Sequence, residues 1–369
     1  MASLAKRADG HWRARYRDAA GNEHSRHFKR KVDAQRWLDE VTTAVTTGMY
    51  VDPGRSQITV GDWAQRWIET KVNLKPSTHA RYEGLLRVSV LPRWKNVKLV
   101  DVTHEGVAAW VASLTKKGLA PATVRQAHRV FSLALTLAVR DGRLARNPAD
   151  HVPLPRLVKR EKTFLTMDQA DELADAAGDY RTVILFLAYT GVRIGELSGL
   201  RVRRLDLMRR RAEIVEAVAE VGGKAVFSSP KSHQVRSVPI PRFLVDDLAQ
   251  LISGKAPEDF VFTSRKDGLL RLTNFRPTIF DPAVRAAGLD GLTPHGLRHT
   301  AASLAITSGA DVKVVQQMLG HASATMTLDL YGHLYGNRLD EVADRMDALR
   351  SARKLPEDAE ILPFPASGD

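Results

Sequence analysis

Apolar residues change period along this chain, and the changes mark out its parts. Residues 11–17 alternate basic and apolar: His11, Arg13, Arg15 and Arg17 against Trp12, Ala14 and Tyr16. A period of two belongs to a strand, with cations on one face and rings on the other. Residues 18–22 hold Asp18, Gly21 and Asn22 and predict a turn, with a second strand over 24–29. The period then becomes helical over 32–45, where Ala34, Trp37, Leu38 and Val41 share a face. A turn-rich break at Pro53, Gly54, Arg55 and Ser56 follows.

The next stretch is helical throughout. Helices are predicted over 60–72 (Trp63, Trp67 and Ile68 inward), from Pro76 to Leu86, over 103–114, and over 121–140. The last carries Val124, Ala127, Phe131, Leu135 and Ala138 on one side. The tryptophans of this helical stretch suit a core better than a base-stacking platform. A linker rich in proline and charge occupies 151–162.

The remainder is mixed. A helix opens at Thr166, and a buried one spans 181–189 and ends at Gly191. Strands are predicted over 211–218, 225–228 and 235–240, with a turn at Gly222 and Gly223 and a short apolar segment at 260–263. From about Asn274 helices dominate, ending in an amphipathic one over 338–349 with Leu339, Val342, Met346 and Leu349 on one stripe. The expected fold is mostly α with small β-sheets, an α+β chain. Its expected domains are a sheet-plus-helix module (1–55), a helical module (56–152), a mixed module (153–350) and a loose tail (351–369).

Charge narrows the function. With 55 Lys and Arg against 42 Asp and Glu, the 369-residue chain has a formal net charge of +13. Such an excess suits a polyanion, because neutralised phosphates release condensed counterions. Candidate DNA contacts are Arg13, Arg15, Arg17, Arg26 and Lys29 in the first module, and Lys75, Arg81 and Arg125 in the second. With no cysteine, disulfides, thiolate nucleophiles and Cys-ligated zinc are excluded. No apolar run is long enough to span a bilayer and the first seven residues lack a secretory core, so the expected location is the cytoplasm, with no membrane partner.

Four clusters carry candidate chemistry. Thr190, Gly191, Val192, Arg193, Ile194, Gly195, Glu196 and Leu197 read as a turn handing over to a helix, where Arg193 can fork onto phosphate oxygens. Glu196 is placed to hold a neighbouring arginine or cap that helix. Lys231 is expected on a hairpin, able to donate a proton if nearby cations lower its pKa. His295 and Arg298, three apart, are expected to point the same way on a helix. Leu319, Gly320 and His321 precede Tyr331, Gly332 and His333, and Tyr331 is expected to be exposed. A phenol is a poor nucleophile unless cations favour its phenolate. A zinc set of His295, His299 and His321 is conceivable but lacks H-E-x-x-H spacing.

In order and spacing these clusters resemble the signature of the tyrosine recombinases, phage-type integrases in particular: T-G-x-R-x-G-E-L, a hairpin Lys, H-x-x-R, L-G-H, then Tyr-Gly-His. The resemblance implies that Arg193, Lys231, His295, Arg298 and His321 surround a scissile phosphate, with Tyr331 as nucleophile and Glu196 as organiser. It implies a 3′-phosphotyrosine intermediate, no metal, no ATP and no other cofactor. It also implies a C-shaped clamp on duplex attachment sites of core and arm type, a homotetramer on DNA, and help from a host DNA-bending protein and a directionality factor. The biological outcome would be integration, and excision, of a phage or other mobile element in a bacterial cytoplasm. Tyr335, one helical turn beyond Tyr331, stays open as a rival nucleophile. The final amphipathic helix is either a docking tail or a plain packing element. A type IB topoisomerase, a dimer resolvase and a DNA-binding regulator are the rivals. The leading module argues against the first two, and the clustered chemistry against the third.

Overall fold

The computed structural model describes residues 2–18, 21–47, 51, 54–157, 163–228, 235–335 and 339–352. It divides into two compact units, 1–160 and 161–369.

The first unit opens with an antiparallel sheet of β1 (Ser3–Lys6), β2 (Trp12–Arg17) and β3 (Glu23–Phe28), followed by α1 (Lys31–Thr46). β1 was not predicted. It is four residues long with Leu4 as its one large apolar side chain, too little for a periodic signal. Register puts Trp12 opposite Phe28, Ala14 opposite Arg26 and Tyr16 opposite His24. That face meets Ala34, Leu38, Trp37 and Val41 of α1 in a small separate core. The opposite face carries Arg13 beside His27, Arg15 beside Ser25 and Arg17 beside Glu23.

Helices α2 (Val60–Glu69), α3 (Pro76–Leu85), α4 (Leu91–Trp94), α5 (His104–Lys116) and α6 (Pro121–Arg140) follow. The predicted 60–72 helix ends early because the Thr70 hydroxyl donates to the Trp67 carbonyl (2.7 Å), and Val72 is exposed. These helices share a second core in which Trp63, Trp67, Trp94 and Trp110 are buried. The Trp63 and Trp110 indoles donate to the carbonyls of Ala134 (2.8 Å) and Ser89 (3.1 Å). Tryptophan here is framework.

The second unit is built on α8 (Arg181–Thr190), in which every residue from Val183 to Ala188 is buried. Around it lie α7 (Met167–Ala176), α9 (Ile194–Ser198), α10 (Val245–Ile252), α11 (Leu272–Phe275), α12 (Asp281–Ala286) and α13 (Pro294–Thr307). The chain continues through α14 (Val312–Leu319), α15 (Ala324–Tyr331) and α16 (Leu339–Ala352).

The strand predicted over 211–218 is two strands in two sheets. β4 (Leu205–Asp206), β5 (Arg211–Ile214) and β8 (Arg236–Pro239) form one sheet; β6 (Ala217–Val221) and β7 (Lys224–Ser228) form a hairpin turning at Gly222 and Gly223. The break falls at Glu216, whose carboxylate is held by Arg201 at 2.8 Å. Consequently β7 and β8 pair with different partners, β6 and β5. Lys231, expected on a hairpin, lies outside the described residues.

Among the described residues no helix is long and apolar enough to cross a membrane. On α16, Val342, Met346 and Leu349 are exposed among the described residues.

Candidate active site

Three helices that carry site residues start on side-chain caps. Thr293, Asp311 and Ser323 accept from backbone N–H groups at the starts of α13, α14 and α15. Two helices, α8 and α14, stop on left-handed glycines, where L side chains are strained. Gly191 (φ 66°) ends α8, and a Cβ there would lie 2.7 Å from Leu319. Gly320 (φ 65°) ends α14, and a Cβ there would lie 2.9 Å from the Arg236 side chain.

Arg298 joins these two ends. Its guanidinium, in a side chain only 3% exposed, donates to the carbonyls of Gly191 and Leu319, each at 2.6 Å. The negative ends of two helix dipoles thus hold one buried cation. Burial, then repulsion from Arg193, lowers its pKa to about 9, with Glu196 opposing.

Arg193 stands at the N-terminus of α9 in extended conformation. Its backbone N–H and its guanidinium donate to the two carboxylate oxygens of Glu196, at 2.9 and 2.8 Å. Glu196 is buried and also accepts from both Nη atoms of Arg236, at 3.1 and 2.5 Å. Burial pushes the Glu196 carboxyl up, but the hydrogen bonds and charge of Arg236, with Arg193, outweigh it and hold the pKa below its usual value. Arg236 further donates from Nε to the Met318 carbonyl at 3.2 Å. Sequence reasoning missed Arg236. Its signal was the alternation on β8, which turns Arg236 and Val238 inward together.

His321 follows Gly320 and is buried. Its Nδ1 lies 2.9 Å from the Thr327 hydroxyl of α15. Burial, then the charges of Arg298, Arg193 and Arg236, lowers its pKa to about 4, so the ring is neutral at pH 7.

Tyr331 ends α15. Its ring lies parallel to that of His321 (centroids 6.4 Å apart, planes at 4°). Its hydroxyl lies 2.8 Å from Nδ1 of His299, another residue not singled out for this role. Tyr331 is 1% exposed, against the expectation of an exposed residue: α15 lays it on Ala301, Ala302, Val315 and Leu319. Burial pushes its pKa up to about 12, with the Arg298 charge opposing. Tyr335, half-buried, packs at the margin of the same cluster.

His295 is exposed, while Arg298 on the same helix is buried, so the two do not share one environment. The His295 ring stands edge-on to His299, with centroids 5.1 Å apart. Among the described residues no group of three or more His, Asp or Glu side chains could hold a metal ion.

The basic residues of the first unit are dispersed. Arg13 and Arg15 lie 3.8 and 3.6 Å from Glu23. Arg17, Lys29 and Arg81 are exposed, and Lys75 is half-buried at the start of α3. Arg26 sits on the other face of the sheet, over the Phe28 ring at 5.4 Å. Arg125 is half-buried and donates to the Pro155 carbonyl at 3.1 Å.

Three guanidinium groups, two of them bound to one carboxylate, thus gather around a neutral imidazole and a phenol. That surplus of fixed positive charge suits an anion whose charge grows during reaction, as in phosphoryl transfer to a tyrosine.

The model of the phage integrase family matches residues 163–338, and that of the phage integrase N-terminal SAM-like domain matches residues 59–115. An integrase assigned to prophage phiRv2 of Mycobacterium tuberculosis is 28% identical over 363 residues, covering 94% of this chain and 95% of the relative. The tyrosine recombinase XerC of Corynebacterium efficiens is 29% identical, covering 66% of this chain and 77% of its own. The solved Tn1549 transposon integrase, in complex with a circular intermediate DNA, shares the fold: TM-score 0.67 at 22% identity, over 79% of this chain and 99% of that one. The chain belongs to the phage integrase family and is a tyrosine-type site-specific recombinase.

Proposed function

We propose that Tyr331 is the nucleophile of this recombinase and that the clustered cations form its phosphate site. The observation that carries the reading is convergence. Segments near 193, 236, 298, 321 and 331, far apart in sequence, bring three guanidinium groups, a neutral imidazole and one phenol together. Tyr331 Oη attacks the scissile phosphorus, the bond to the 5′-oxygen breaks, and a 3′-phosphotyrosine forms. Arg193 and Arg298 neutralise the non-bridging oxygens as charge builds. His321, with Nδ1 accepting from Thr327, donates from Nε2 to one of those oxygens. Lys231 protonates the departing 5′-oxygen. Glu196 positions Arg193 and Arg236. A 5′-hydroxyl from a partner duplex reverses the attack, so the phosphodiester energy is conserved and no ATP or metal is used.

The substrate is duplex DNA at attachment sites, and the outcome is integration or excision of a mobile element. The Arg13, Arg15 and Arg17 face is open for arm-site DNA, and Lys75 and Arg81 suit the core site. Arg26, on the other face, and Arg125, tied to Pro155, are the weaker candidates. The exposed stripe of α16 is suited to a neighbouring subunit in a DNA-bound tetramer. A host bending protein and a directionality factor complete the expected assembly.

The test is a nicked suicide duplex, which traps a denaturant-resistant adduct. Wild type should form it and Tyr331→Phe should not, while still binding DNA. An adduct lost in Tyr335→Phe but kept in Tyr331→Phe overturns the assignment.

A further inference from the structure

A phenol attacks phosphorus only when its proton has somewhere to go, and Tyr331 is nearly sealed from solvent. Its hydroxyl lies 2.8 Å from Nδ1 of His299. His299 follows Arg298 directly on α13, so one helix supplies both a phosphate-side cation and a group at the nucleophile. Phe164 stands edge-on to His299 (6.4 Å, 83°) and packs against Tyr331 (6.5 Å), covering the pair on one side. His295 stands edge-on on α13 at 5.1 Å and 81°. The charged and titratable groups around the pair are His295 and Arg298 of α13, His321 after α14, Arg193 and Glu196 of α9, Arg236 of β8, and His333 beyond α15.

We infer that His299 takes the proton of Tyr331 during strand cleavage and returns it on rejoining. This rests on Tyr331 being the nucleophile. With its own proton on Nε2, the neutral ring presents a lone pair on Nδ1 to the phenol. The O–H bond breaks, the proton moves to Nδ1, and the oxygen electron pair forms the P–O bond as the bond to the 5′-oxygen breaks. The 5′-oxygen takes its proton from a separate donor. On rejoining, the departing phenolate recovers the proton from Nδ1. His299 is therefore a catalytic residue acting on the attacking atom, while the arginines act on the phosphate.

The test measures single-turnover adduct formation by the full-length protein on the suicide duplex. His299→Ala should slow it by about 100-fold or more, with DNA binding and thermal unfolding near wild type. His299→Gln keeps a hydrogen-bonding group of similar size but cannot carry the proton, and should be as slow. Difluorotyrosine at position 331, whose phenol ionises more readily, should restore much of the rate in both variants. A merely positioning role predicts the opposite: His299→Gln close to wild-type rate, or no rescue by difluorotyrosine. Either result overturns the inference. If Tyr331→Phe still forms adduct, the nucleophile assignment fails instead, and the two failures are distinguishable.

Discussion

Glu196 is a buried carboxylate shared by two guanidinium groups, Arg193 and Arg236. Replacing it leaves two cations facing each other in a poorly solvated site. Breaking such a pair by removing one partner costs about 3–5 kcal/mol. Glu196→Gln should therefore lower the denaturant midpoint markedly, and adduct formation should fall as Arg193 loses its anchor. A stability within experimental error of wild type would show that the carboxylate is dispensable. His321 makes a pH prediction. Its pKa falls from 6.5 to about 4 in the fold. Above pH 6.5 both folded and unfolded states carry a neutral ring, and the group does not affect stability. As pH drops from 6.5 toward 4 the unfolded chain gains a proton that the folded one refuses, so stability is lost in that window. Denaturant titrations at pH 7, 5.5 and 4.5 should show this decline, and His321→Gln should flatten it. An unchanged slope in the variant would contradict the assignment.

At the scale of elements, the site is an arrangement of helix ends. α8 and α14 both stop where their terminal carbonyls meet the Arg298 guanidinium. Gly191 permits the left-handed stop and the close approach of Leu319. Gly191→Ala introduces a left-handed alanine, costing about 1–2 kcal/mol, and a Cβ pressed 2.7 Å from Leu319. The loss of stability should exceed the backbone cost alone, and cleavage should slow because the Leu319 carbonyl moves away from Arg298. Urea denaturation and the suicide-substrate assay check the two effects separately. β8 works similarly from the sheet side: Arg236 reaches both Glu196 and the Met318 carbonyl, tying the strand after the Lys231 segment to the turn before His321.

For the whole molecule, the net charge of +13 comes from the first unit, where 29 Lys and Arg face 14 Asp and Glu over residues 1–160, so affinity for DNA should fall steeply with salt. The alternating face of β2 allows a separation of roles. Arg13→Ala with Arg15→Ala should weaken arm-site binding and reduce its salt slope by about 1 per lost phosphate contact. Core-site cleavage should persist. Equal loss at both sites, measured by competition binding and adduct formation, would remove the arm role from this sheet. Glu23 lies within 4 Å of both arginines, so their charge is partly offset before DNA arrives.

Local sequence determined most of the elements because their causes are local. The 3.6-residue stripe of α6, the caps of α13–α15 and the left-handed glycines act within a few residues, and the predicted 121–140 helix matches α6 from end to end. β1 and the 211–218 split were not legible: one is four residues long with a single large apolar side chain, and the other falls at Glu216, held by Arg201 from outside the strand. The motif spacing drew attention to Arg193, Glu196, Arg298, His321 and Tyr331 one by one. It could not say which side chains touch. Arg236 as the second partner of Glu196, His299 as the group at the Tyr331 hydroxyl, and the burial that raises the phenol's pKa to about 12 all arise between segments far apart in the chain. Desolvation and through-space charge depend on which surfaces pack together, and only the tertiary structure decides that.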